Sequence, residues 1–289
     1  MSSVVIAAHN EEAVIGACLD ALLGQTTSEP VHIVVSANGC VDKTVEIARR
    51  YAVTVLDRPE PGKAAALNAG DDAAEGFPRI YLDADIIVPP GGLEAVLRRL
   101  GPETLVAVPA RRLDLRDRAW PVRGFYAINE RLPAYTNGLF GRGMIAVSAD
   151  GRARFGRFPH VVADDLFLDS QFSDAEKGEA SDVAVVVEAP YTTRDLVRRL
   201  VRVRRGNAEM RAAGGTGEIE VNVRRADRWA WLRDVVVPHP RLVFPAVPYL
   251  AITVWAALQA RRSRTRAAQW GRDESTRRIA ATDGGGDAS

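Results

Sequence analysis

Cysteine is almost missing from this sequence: Cys18 and Cys40 are the two in 289 residues. That excludes a disulfide framework and a multi-cysteine zinc site, and it suits a reducing compartment. Charge imbalance is missing too. Lys and Arg total 38 against 37 for Asp and Glu, whereas a dedicated nucleic-acid binder carries a clear basic excess; no nucleic-acid partner is expected. No secretory leader is expected at the start of the chain. Val4–Ala8 is a short apolar run that stops at His9-Asn10-Glu11-Glu12, not a long one behind a charged start. The expected location is therefore the cytoplasm. No internal repeat is visible, and one long apolar stretch near the C-terminus is too little for a polytopic membrane protein. What remains is ordinary for a folded chain. Apolar residues make up 47% and charged residues 26%, which excludes a disordered or collagen-like polymer. The length suits one large domain or two modest ones.

Short apolar runs alternate with helical patterns over residues 1–110. The runs are Val4–Ala8, Val31–Ser36, Val53–Leu56, Ile80–Leu82 and Leu105–Val108. Between them Val14, Cys18, Leu19, Leu22 and Leu23 recur at helical spacing, as do Leu93, Val96, Leu97 and Leu100. Asn10 is the expected N-cap of the first helix, with Glu11 and Glu12 in its first turn. Continuous apolar strands alternating with helices predict a parallel sheet covered on both faces. Such sheets bind ligands beyond the carboxyl ends of their strands, which is where chemistry is sought.

Asp83-Ala84-Asp85 follows directly on a strand. Alternation along that strand would send both carboxylates to one side, about 7 Å apart. Two hard oxygen donors there suit Mg²⁺ or Mn²⁺ holding a diphosphate; a solvated acidic turn is the bland alternative. Ser36-Ala37-Asn38-Gly39-Cys40-Val41-Asp42 follows the second strand, its Asn-Gly marking a turn and its Asp42 able to cap the next helix. Gly62-Lys63 opens a helix and could aim a cation and backbone N–H groups at phosphate, although the ATPase phosphate loop is absent and an ordinary surface lysine fits equally. Further on come Gly138, Gly141 and Gly143, the acidic pair Asp164-Asp165, and a strongly basic helix expected over about 193–212. His9 and His160 read as loop residues, not as a metal pair.

Taken in order, Val5–Glu12, Asn38–Asp42, Gly62–Asn68 and Asp83-Ala84-Asp85 resemble the nucleotide-sugar-binding half of family 2 glycosyltransferases of GT-A fold. The resemblance continues through Gly141-Arg142-Gly143, which looks like the family's acceptor-side stretch, and through Asp164-Asp165-Leu166-Phe167-Leu168, which looks like its acidic pair opening a helix. It ends at Arg198–Asn207, in the place of a basic Gln-x-x-Arg-Trp helix, and covers roughly residues 3–210. Two departures stand out: Asn38 replaces the family's usual Asp, and the Gln and Trp of the last motif are missing, which favours transfer of single sugars over polymerisation and leaves the key arginine between Arg204 and Arg205.

The resemblance implies a GT-A (Rossmann-like) α/β fold, a mostly parallel sheet flanked by helices. It implies inverting transfer of a sugar from a UDP- or GDP-sugar to an acceptor hydroxyl. Asp165 would be the general base with Asp164 beside it. Asp83 and Asp85 would hold Mg²⁺ or Mn²⁺, and Arg205 and Arg202 would add a second clamp on the diphosphate. Ala8, Asn10, Glu11, Asn38, Lys63, Asp83, Ala84 and Asp85 would line the donor. Gly141, Arg142 and Gly143 would face the acceptor, a sugar or lipid-linked precursor of the cell envelope. A nucleotidyltransferase is the runner-up, but it would want a Gly-rich basic loop in the place of His9-Asn10-Glu11-Glu12. A non-catalytic membrane-bound scaffold of the same fold predicts lost carboxylates, and Asp83, Asp85 and Asp165 are all kept.

The expected organisation is a glycosyltransferase domain over 1–220, with a donor half (1–110) and an acceptor half (111–220). An apolar, aromatic segment over 221–262 and a basic then Gly-rich flexible tail over 263–289 follow. Leu242–Ala260, with only Thr253 and Gln259 clearly polar, is long enough to span a membrane. Pro245 and Pro248 are expected to kink it. Arginines flank it on both sides (Arg228, Arg233 and Arg241 before; Arg261, Arg262 and Arg264 after), and the positive-inside rule keeps both flanks cytoplasmic. An interfacial or re-entrant segment on the inner leaflet is favoured; a single span and a buried core or dimer helix are the alternatives.

Overall fold

The computed structural model describes residues 1–160, 164–215 and 227–262. The flexible tail expected over 263–289 and the first residues of the segment 221–262 lie outside the described residues. By its contacts the chain forms two compact units, one of Met1–Arg112 with Leu139–Val187, the other of Leu113–Gly138 with the chain from Glu188 onward. The acceptor half expected over 111–220 is thus shared between the units, because 139–187 returns to the first.

The first unit is built on strands β1 (Ser2–Ala8), β2 (Val31–Asn38), β3 (Thr54–Arg58), β4 (Arg79–Asp83), β5 (Val106–Asp114), β6 (Met144–Val147) and β7 (Lys177–Glu188), in the spatial order β3-β2-β1-β4-β6-β5-β7. β1 pairs in parallel with β2 and β4, and β2 with β3, while β6 runs antiparallel to both β4 and β5. Helices α1 (Ile15–Leu23), α2 (Thr44–Ala48), α3 (Lys63–Ala73) and α4 (Gly92–Arg99) follow the first four strands in turn. β1 is buried along nearly its whole length, which is why it reads as one unbroken apolar run: both its faces are covered by helices. Val4, Ile6, Ile33, Val35, Ile80 and Leu82 meet Ile15, Leu19, Leu93 and Val96 in the main core. Cys18 belongs to that core, and burial pushes its thiol up to about 12, so it packs as a small apolar residue.

The register aligns the strand ends. Ala8 lies beside Ala37, and Ala7 beside Asp83. β1 thus has the chain leaving toward β2 on one side and β4 on the other, the place where a doubly wound sheet leaves a crevice at its carboxyl edge.

Asn10 does not cap α1. The helix starts at Ile15 with no side-chain cap and no acid in its first turn, so Glu11 and Glu12 lie ahead of it. Asn10 instead takes φ +54°, a left-handed conformation that a short amide side chain tolerates. A turn at Glu11, whose carbonyl accepts from Val14 and Ile15 N–H, then leads into the helix.

Two short helices, α5 (Trp120–Asn129) and α6 (Pro133–Thr136), belong to the second unit; α7 (Ala149–Arg152) and α8 (Asp164–Ser170) belong to the first. The second unit adds α9 (Thr193–Gly215), a π-helical segment Trp231–Val236 and α10 (Val243–Arg262). Val122, Phe125 and Tyr126 of α5, Leu196 and Val197 of α9, and Ile252 and Ala256 of α10 form its core. Buried Arg118 donates to the carbonyls of Ala189 and Arg116 and lies 3.5 Å from the Tyr191 ring, tying the lead into α5 to the lead into α9.

The expected kink at Pro245 and Pro248 is not a break: α10 runs unbroken from Val243 to Arg262 with Pro248 inside it. Pro245 falls in the first turn, where a missing N–H costs nothing. The two prolines lie against Gly124 of α5, where a Cβ would come within 2.6 Å of Pro248, so the rings fill a notch that only glycine leaves open.

Candidate active site

The loops after β1 and β2 are knitted together by their polar residues. Asn10 Oδ1 accepts the Val41 N–H at 2.7 Å, Asp42 accepts the Glu12 N–H at 3.2 Å, Glu12 accepts the Lys43 N–H at 3.1 Å, and Thr44 Oγ1 accepts the Glu11 N–H at 2.6 Å. Asp42 is not the cap of α2, whose N-cap is Lys43 with no side-chain cap bond, but it lies one residue ahead and accepts the Thr44 N–H at 3.0 Å. The Cys40 thiol sits between the Ala8 carbonyl and the Asn10 N–H. Thr44 and Cys40 were not singled out from sequence; only their place in the loop after a strand hinted at them.

Asn38, which the resemblance places along the donor, spends its side chain on backbone groups. It is fully buried, its Nδ2 donates to the Ala8 carbonyl at 2.8 Å, and its Oδ1 accepts the Gly62 N–H at 2.9 Å. An amide does both where an aspartate could only accept. Asn38 therefore fixes the end of β1 against the start of α3 and shapes the crevice from behind.

The strand reading of Asp83-Ala84-Asp85 also changes. β4 ends at Asp83, and a turn follows in which the Ile86 N–H returns to the Asp83 carbonyl at 3.2 Å. Asp85 is therefore an exposed turn residue, not the next same-face position of the strand. Ala84 between them is buried.

Lys63 is the centre of the arrangement. As the first residue of α3 it places its ammonium 2.9 Å from Asp83 Oδ1 and 2.9 Å from Asp164 Oδ2. Burial alone would pull its pKa down, but the Asp164 and Asp83 carboxylates more than offset that and hold it well above the ordinary lysine value. Lys63 thus joins the end of β4 to the head of α8. Asp164 and Asp165 occupy the first turn of α8, where the exposed N–H groups favour negative charge. Asp165 accepts the Leu166 N–H at 2.8 Å, and its other oxygen lies 3.4 Å from the Gly141 nitrogen. Burial first, and then the Asp164 charge, raise Asp165 to about 6, with Lys63 opposing.

Gly141-Arg142-Gly143 runs between the two groups of carboxylates. Its glycines hold φ +60° and +67°, Gly141 reaches Asp165, and the Gly143 carbonyl accepts the Asp83 N–H at 2.8 Å. A Cβ at Gly143 would fall 2.4 Å from Ile86. Arg142, expected to face the acceptor, is instead buried, donating to the Pro109 carbonyl at 2.9 Å and pairing with Glu179 at 2.6 Å. It braces β5 and β7 behind the glycine turn.

Asp83 and Asp85 are the donors that could hold a divalent cation. Among the described residues no three acidic, histidine or cysteine side chains converge into a closed cage. A pair of carboxylates at a strand end still fits Mg²⁺ or Mn²⁺, which keep waters and fill their shells with substrate phosphate oxygens. Asp83 is half exposed even while it holds Lys63.

Arg202 and Arg205 lie half-buried on α9, in the second unit. Of the two candidates for the key arginine, Arg204 donates to the Thr253 carbonyl of α10 at 3.2 Å, and burial lowers its pKa. Arg204 therefore ties α9 to α10.

A mostly parallel sheet with carboxylates, a lysine and paired loops gathered at its carboxyl edge is an α/β ligand-binding enzyme fold. The chain belongs to glycosyl transferase family 2, whose profile matches residues 3–150. It is 32% identical over 107 residues to the glycosyltransferase EpsH of Bacillus subtilis, covering 35% of this chain and 31% of EpsH. It is 33% identical over 88 residues to the glycosyltransferase EpsJ of the same organism, covering 29% of this chain and 25% of EpsJ. The matches thus span about a third or less of those curated relatives. Among solved structures it is similar to the mannosyltransferase PcManGT of Pyrobaculum calidifontis, solved with GDP-Man and Mn²⁺. That likeness has a TM-score of 0.58 at 20% identity and covers 98% of this chain and 79% of the other. The fold is GT-A, as the resemblance implied.

Proposed function

We propose that this chain moves one sugar from a nucleoside-diphosphate sugar to an acceptor hydroxyl with inversion at the anomeric carbon. The observation that supports this best is the Lys63 ammonium, 2.9 Å from both Asp83 and Asp164, which brings a donor-side carboxylate and an acidic pair to one place. In the reaction the acceptor oxygen attacks the anomeric carbon. The bond from that carbon to the diphosphate oxygen breaks with its electron pair, and the hydroxyl proton passes to Asp165. A carboxylate raised to about 6 is ionised at neutral pH yet basic enough to take a proton from a hydroxyl losing it to bond formation. Asp83 and Asp85 would hold Mg²⁺ or Mn²⁺, which when bound offsets the charge growing on the leaving diphosphate. By the resemblance, Arg205 and Arg202 are the residues assigned a second clamp on the diphosphate. The backbone around Ala8, Asn10 and Glu11 would receive the nucleoside of a UDP- or GDP-sugar. The acceptor would be a sugar or lipid-linked envelope precursor.

The exposed side of α10 supports a place for the enzyme on the cytoplasmic face of a membrane. Pro240–Arg262 is long and apolar enough to span one, and most of it is not buried. Pro248, Ile252 and Ala256 face the core, while Phe244 (77% exposed), Val247 (64%), Trp255 (46%) and Leu258 point outward at helical spacing. Arg241 precedes the helix and Arg261 and Arg262 close it, with no acid between. Cationic ends on both sides of an apolar stripe fit a helix lying in the plane of an anionic lipid surface.

The test is thermal stability against UDP, GDP, dTDP and CDP, each with Mn²⁺ and with chelator. A ligand at a hundred times its Kd adds about 2.7 kcal/mol. A metal-dependent rise with one base, lost in Asp85→Asn, is expected. No rise with any of the four would refute the donor site.

A further inference from the structure

We infer that helix α3 sets the acidic pair in place from two sides: Asn68 clamps Phe158 ahead of α8 and Lys63 grips Asp164 at its head, which makes both of them positioning residues for Asp165. The inference rests on Asp165 being the base.

Asn68 is buried, and both ends of its carboxamide are spent on one residue. Its Nδ2 donates to the Phe158 carbonyl at 3.0 Å, and its Oδ1 accepts the Phe158 N–H at 2.7 Å. Bonds to both the N–H and the carbonyl of one residue fix orientation as well as distance, where a single bond would leave a hinge. The Phe158 ring is held too, edge-on to Tyr81 of β4 at 5.0 Å and tilted against Phe167 of α8 at 5.8 Å. The clamped Phe158 thus meets α8 through Phe167, and at the head of α8 the Asp164 carboxylate meets the Lys63 ammonium of the same α3. The far end of α8 is anchored separately. Buried Asp169 takes the Lys177 ammonium at 2.7 Å and the Leu139 N–H at 3.1 Å.

α8 is therefore pinned at both ends, and its N-terminal pins come from the helix that opens at the donor crevice. Asp165 stands one residue from the Lys63 grip, with its oxygens at the N–H of Leu166 and near that of Gly141. Only an amide can do what Asn68 does. Alanine would strand the Phe158 N–H and carbonyl, and aspartate could accept but not donate. Sequence alone placed Asn68 at the end of the Gly62–Asn68 stretch without a task. The clamp supplies one: it links a helix at the nucleotide end of the sheet to the position of a proton acceptor.

The experiment uses the full chain with water as acceptor. UDP-glucose and GDP-mannose are incubated with Mn²⁺, and release of UDP or GDP is followed. A water oxygen attacks the anomeric carbon, the diphosphate leaves with the bonding pair, and Asp165 receives the water proton. Binding of UDP and GDP with Mn²⁺ is measured on the same samples by calorimetry. Asn68→Ala is expected to lower kcat about 10²-fold, the cost of misplacing a reacting group by about 1 Å, while Kd for the diphosphate moves less than about twofold. Retained diphosphate binding shows that the variant is folded. Asn68→Asp should recover part of the rate, and Lys63→Arg should keep more of it than Lys63→Met. An Asn68→Ala enzyme with the kcat of the parent, or one whose kcat and diphosphate binding fall together, overturns the inference. Asp165→Asn separates the two readings. If it keeps the parent rate, the base assignment fails. If it loses the rate while Asn68→Ala keeps it, only the clamp fails. Absence of binding and hydrolysis in the parent overturns both.

Discussion

Asp165→Asn should silence the enzyme and stabilise it, and the second effect should appear only above acid pH. The carboxyl sits at about 6 against an ordinary 3.8. Between those values the folded protein keeps a proton that the unfolded chain releases, so stability falls as pH rises through the window and stays lowered above it. The full displacement corresponds to about 3 kcal/mol. Asp165 is only half-buried, and water screens part of the cost, so about 1–3 kcal/mol is the working range. Asparagine does not titrate, so it avoids that cost, and its oxygen can still accept the Leu166 N–H. Melting curves of parent and variant at pH 4.5 and pH 8 test this. At pH 4.5, inside the window, the gap should be about a third of that at pH 8, where the variant should melt several degrees higher, at about 2–4 °C per kcal/mol. Donor turnover by the parent should fall as pH drops through about 6, and turnover by the variant should be about 10²–10⁴-fold lower at every pH. A stability gap equal at both pH values, or a variant less stable at pH 8, would refute the account of Asp165 as a carboxylate that burial and Asp164 make costly to ionise.

Gly143→Ala should cost more than Gly141→Ala in urea unfolding. Both positions have positive φ, worth about 1–2 kcal/mol, but only at Gly143 would the new Cβ press on the buried Ile86, at 2.4 Å, adding about 1–3 kcal/mol of overpacking. Vesicles containing phosphatidylglycerol should sediment the protein and neutral phosphatidylcholine vesicles should not, with binding weakened by added salt. Phe244→Glu with Trp255→Glu should abolish that binding and leave nucleotide binding as it was; equal sedimentation of the double variant would refute the lipid-facing assignment of α10.

How far the sequence can be read depends on where each residue's partners lie. β1, β2 and β4 were legible because a parallel strand covered on both faces has no polar alternation to confuse it, and Val4–Ala8 or Ile80–Leu82 admits little else. β6 and β7 went unread: one is only four residues long, and the other, Lys177–Glu188, carries polar residues on its half-exposed length. Local chemistry misled where one residue type serves two geometries. Asn10 has the side chain of a helix cap and also that of a left-handed turn, and the second won because the loops after β1 and β2 had to be stitched together. Asp85 looked like the same-face partner of Asp83 only while β4 was taken to continue past its end. The hardest parts were the long-range ones. Lys63 read equally as a surface lysine, Asn38 as part of a turn lining the donor, and Asn68 as nothing at all, because their partners Asp164, Gly62 and Phe158 are chosen by the sheet and not by spacing. The acidic pair itself could be found from sequence. What holds it in place is a helix far away in the chain, which brings an ammonium to Asp164 and a carboxamide to Phe158, and that can be learned only when the strands between them have been laid side by side.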